Sequence, residues 1–125
     1  MAATLSITAS DVDALTQNPS SITGYSSTKN IVISGDITAS QASALKGVAS
    51  PSITADVEQS SVTILKGITV LSGRTNAFSF KSSGTSASAA DLNSIKSLTT
   101  VKPDFTSILE ITASSAADIK SLYTT

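Results

Sequence analysis

Two Ser-x-x-Lys spacings, Ser43-Ala-Leu-Lys46 and Ser26-Ser-Thr-Lys29, are where covalent chemistry would be sought first. In penicillin-binding enzymes a serine at that spacing is acylated beside its lysine. The Lys-Thr-Gly and Ser-Asp-Asn segments that complete such a site are absent, and a chain with 25 Ser produces the spacing by chance. Lys46 reads instead as a solvated cation at the end of a short helix, where it suits the helix dipole. Asp11 and Asp13 form an Asp-x-Asp pair. A calcium loop needs six or more oxygens, usually with a Gly for the turn and a later bidentate Glu, and none follows. Carboxylates paired for glycoside cleavage would have to come from Glu58, Glu110 and the seven Asp, which form no recognisable constellation. Ser34-Gly35-Asp36 and Ser82-Ser-Gly84 are Gly-containing turns without the extra glycines and Lys-Ser/Thr ending of a phosphate loop. Tyr25, Tyr123, Phe78, Phe80 and Phe105 are too few for a sugar- or base-stacking platform, and the three Phe are expected in the core.

The chain of 125 residues has no His, no Cys and no Trp. A Ser-His-Asp or Cys-His machine is therefore excluded, as are the usual zinc site and a disulfide framework. The expectation is a non-enzymatic protein with no catalytic, cofactor-binding or metal-ligating residue.

The strongest signal is repetition. Ile-Thr recurs at Ile7, Ile22, Ile37, Ile53, Ile68 and Ile111, the first five 15 or 16 residues apart. A longer unit overlies this beat. Thr8-Ala-Ser-Asp-Val-Asp-Ala-Leu15 matches Thr38-Ala-Ser-Gln-Ala-Ser-Ala-Leu45, and Ser88-Ala-Ala-Asp-Leu-Asn-Ser-Ile95 matches Ser115-Ala-Ala-Asp-Ile-Lys-Ser-Leu122. A weaker copy runs from Glu58 to Leu65. Each copy ends on a large apolar residue, with Val12, Ala42, Leu92, Ile119 or Val62 three positions earlier, the spacing of one helix face. Thr8 with Asp11, Thr38 with Gln41, Ser88 with Asp91 and Ser115 with Asp118 have capping-box spacing. Such caps matter because helices of two or three turns are marginal alone. Gly47 and Gly67 suit helix stops, and Pro19, Pro51 and Pro103 fall in loops.

Between the copies lie runs favouring strands: Leu5–Ile7, Asn30–Ile33, Gly67–Leu71, Ala77–Phe80 and Ser107–Ile111. Short strands alternating with short capped helices predict an α/β or α+β repeat domain. The Ile-Thr beat keeps a β-solenoid of about 15 residues per rung as the alternative. The 34 larger apolar side chains argue against disorder. The expected organisation is one domain over 1–125, with sub-repeats 1–50, 51–100 and 101–125.

Lys and Arg number 8 against 9 acids. The cations are scattered, as solvated single charges are, and not clustered as phosphate binding requires, so nucleic acid is not expected as a partner. Nor is membrane insertion, because no run approaches 18 apolar residues. No cleaved signal is visible, which suggests a protein that stays in the cytosol or leaves it by another route. Ile-Thr repeats without a Thr-x-Thr array do not suggest ice or crystal binding.

The Ile-Thr-Ala-Ser-x-x-x-x-Leu unit at Ile7–Leu15 and Ile37–Leu45, with Ser-Ala-Ala-Asp-Leu/Ile at Ser88 and Ser115, resembles degenerate Ser/Thr/Ala-rich repeats of giant surface proteins of marine cyanobacteria. It also resembles repeats of small structural proteins of cyanophages. The resemblance brings no catalytic residues and implies a structural or adhesive role. It suggests a capsid decoration or knob protein on the virion surface, assembled in the host cytoplasm and bound to a major shell protein. The alternative is a repeat module of a cell-surface, adhesin-like protein. Self-association is compatible with either.

Overall fold

The computed structural model describes residues 3–112 and 114–123. Strands and short helices alternate along it. Strand β1 (Thr4–Thr8) leads into α1 (Val12–Gln17), β2 (Asn30–Ile37) into α2 (Ala39–Ala44), and β3 (Ser52–Val57) through β4 (Ser60–Ser61) into α3 (Val62–Lys66). Then β5 (Thr75–Ser79), β6 (Ser82–Ser83) and β7 (Ser86–Ser88) precede α4 (Ala89–Lys96), and β8 (Glu110–Thr112) precedes α5 (Ala116–Tyr123). The fold is mixed α/β, with short parallel sheets and, among the described residues, no closed barrel.

Every strand pair is parallel. The largest sheet has the order β1-β2-β3-β5, and two smaller ones pair β4 with β6 and β7 with β8. Neighbours in space are successive passes of the chain, so it winds as a stack of coils, each built from a strand side, a helix and a return. Facing residues are 20 to 26 apart, from Asp36 with Asp56 to Thr4 with Asn30. The Ile-Thr beat is therefore not a rung. Ile7, Ile37 and Ile53 lie on strands, whereas Ile22 and Ile68 lie on returns.

Alternation sends Leu5 and Ile7, Ile31 and Ile33, Ile53 and Ala55 into one core. The helices close it with i, i+3 pairs: Val12 and Leu15, Ala42 and Leu45, Val62 and Leu65, Leu92 and Ile95 are all buried. Phe78 and Phe80 are buried as expected, edge to face at 6.2 Å.

Caps start the helices where the sequence places them. The Thr38 hydroxyl accepts the Gln41 N–H at 3.1 Å, and the Gln41 amide oxygen accepts the Thr38 N–H at 2.9 Å. The Ser88 and Ser115 hydroxyls accept the N–H of Asp91 and Asp118. At Thr8 the Asp11 carboxylate accepts from the Thr8 N–H and hydroxyl, and Ala9–Asp11 is a 3-10 turn. In the weak copy the cap is Ser61.

Three strand expectations need correction. Gly67–Leu71 is no strand: it is a return, with Ile68 buried and the Thr69 N–H held by the Ser43 hydroxyl. Val70 beside it is partly buried against the core. Ser107–Ile111 becomes extended only at Glu110, because Phe105–Ile108 is a turn closed by the Ile108 N–H on the Phe105 carbonyl. Ser52–Val57, with Pro beside it and Asp within it, is the missed central strand β3.

Ser34-Gly35-Asp36 is a bulge within β2 and not a free turn. Four residues from Val32 to Asp36 span what β3 covers in two, from Thr54 to Asp56. Two extra residues preserve parity, so Ile37 returns to the core opposite Val57. Gly35 sits at φ +87°, a conformation that a side chain strains to reach.

Candidate functional site

The structure disperses the residues whose spacing suggested chemistry. Ser43 accepts from Thr69, while Lys46 projects into solvent from a 3-10 turn. Ser26 bonds Thr28, and the Lys29 ammonium donates to the Gly24 carbonyl at 2.6 Å. Asp11 is engaged by Thr8, and Asp13 accepts the Gln41 side-chain amide at 3.2 Å. Glu58 and Glu110 are exposed on different coils. Among the described residues, no three His, Cys, Asp or Glu lie together as metal ligands. No helix among them is long and apolar enough to cross a membrane. Tyr25 donates its hydroxyl to the Ala49 carbonyl at 2.8 Å, and Phe105 is half-buried; the Tyr123 side chain lies outside the described residues.

What the coils do bring together are three surfaces. The first is the outer strand face, where side chains stack in rows. One row is Ser6, Val32, Thr54 and Ala77; another is Asp36, Asp56 and Ser79. Nearly all of these side chains are small. Val32 is its large apolar member, 38% exposed.

The second is a notch at the far end of those strands, lined by Asp36, Asp56, Gln59, Lys81 and Asp104. Lys81 bridges to Asp104 through the backbone of the next coil. The Asp104 carboxylate accepts both the hydroxyl and the N–H of Thr106, at 2.6 and 3.0 Å. Those two bonds, with Lys81 nearby, hold its pKa below the usual carboxylate value.

The third is the C-terminal coil. Phe105, Ile108, Ile111 and Leu122 are only half-buried and, with Leu92, line an apolar cleft of about 390 Å³. In the same coil Leu109 is 83% exposed and Ile119 is also exposed. At the positions that match Ile119 in the earlier repeats, Val12, Ala42, Val62 and Leu92 are buried. Neither Lys46 nor Asp11 lines any of five surface clefts.

The cations carry a role that the sequence did not reveal. Arg74 reaches back 26 and 29 residues to the carbonyls of Val48, at 2.5 Å, and Leu45, at 3.1 Å, while its Nε donates to Asn76. Partial burial lowers its pKa. Lys96 donates to the carbonyls of Ser121 and Leu122, and Lys66 pairs with Asp91 at 3.1 Å. These are ties between coils, and the expectation of solvated single charges does not hold for them. No local pattern marks such residues, since their partners lie a full coil away.

No protein-family model matches this chain, and no curated protein or solved structure is significantly similar to it.

Proposed function

We propose that this chain is a non-enzymatic structural protein on the outside of a large assembly, a phage capsid decoration or knob protein. The observation that carries this reading is the coil stack. Stacked coils make a stiff scaffold that presents an extended surface, the usual use of repeat architectures. The outer strand face suits docking onto a shell protein. Its small side chains admit close approach over four strands, with Val32 as an apolar contact inside a polar field. The repeat composition adds the resemblance to structural proteins of cyanophages. The partner is then a major shell protein, and the place the virion surface after assembly in the host cytoplasm.

A second reading is a repeat module of a cell-surface, adhesin-like protein. The open C-terminal coil favours it, because a coil with exposed apolar residues can take another coil upon it.

Gradient sedimentation of the native source separates the two. Co-migration with a megadalton shell is the expected result. Migration as a small free species, or as part of a much longer polypeptide, would sink the decoration role.

A further inference from the structure

We draw no further inference here: the strongest candidate, the notch at the far end of the strands where Asp36, Asp56 and Asp104 lie near Lys81, carries nothing, because it is a cluster of exposed acidic side chains and, among the described residues, no buried side-chain polar atom is left without a partner to point to a ligand there.

Discussion

At the residue scale, the firmest long-range tie is Arg74. Its guanidinium holds two carbonyls of the turn after α2, those of Leu45 and Val48. Hydrogen bonds to a charged donor are worth about 1.5–3 kcal/mol. Arg74→Ala is expected to lower unfolding free energy by about 2 kcal/mol in urea denaturation. Arg74→Lys is expected to recover little, because one ammonium cannot reproduce the fork that spans Leu45, Val48 and Asn76. A full rescue by lysine would mean that charge, not geometry, is what counts.

Asp104 supplies a pH reading at the same scale. Its folded pKa is depressed, so its contribution to stability is complete above the ordinary carboxylate pKa and fades as pH falls through the lowered folded value. Thr106→Val removes the hydroxyl bond, the largest cause of the depression. Carboxylate NMR titration is expected to show the Asp104 pKa rising towards its ordinary value, and the acid limb of stability moving up in pH with it.

At the element scale, the caps and the bulge decide. The Thr38 cap is reciprocal with Gln41, whose other amide atom reaches Asp13 in the preceding coil. Thr38→Ala is expected to cost about 0.5–2 kcal/mol, read by thermal denaturation. No measurable loss would separate α2 from its cap. Gly35 permits the two-residue bulge that brings Ile37 back to the core. Gly35→Ala puts a side chain at positive φ, with its Cβ 3.4 Å from that of Ala9. A loss of about 1 kcal/mol or more is expected from the backbone strain. An unchanged melting temperature would show that β2 can relax its bulge.

At the scale of the whole molecule, the stack explains both the core and the open end. A coil buries its apolar residues only against its neighbours, so interior coils are closed and a terminal coil depends on what covers it. The first coil closes on itself through its own return, where the Leu5 side chain lies near Gly24. The last coil, with Leu109 exposed, does not.

The parts that the sequence by itself determined are the local ones. Hydroxyl caps act over three residues and i, i+3 apolar pairs over one turn, so Thr38, Ser88 and Ser115 marked helix starts, and Leu15, Leu45, Leu65 and Ile95 marked core. The alternation of short strands and capped helices, hence the mixed α/β class, followed from them. What only the tertiary structure decided lies a full coil away. Strand pairing joins residues 20 to 26 apart, and no local signal carries that distance. The coil length, the identity of Ser52–Val57 as a central strand, the loss of Gly67–Leu71 to a return and the reach of Arg74 all depend on it. The surfaces depend on it too, since a row such as Ser6, Val32, Thr54 and Ala77 exists only once four separate segments lie side by side.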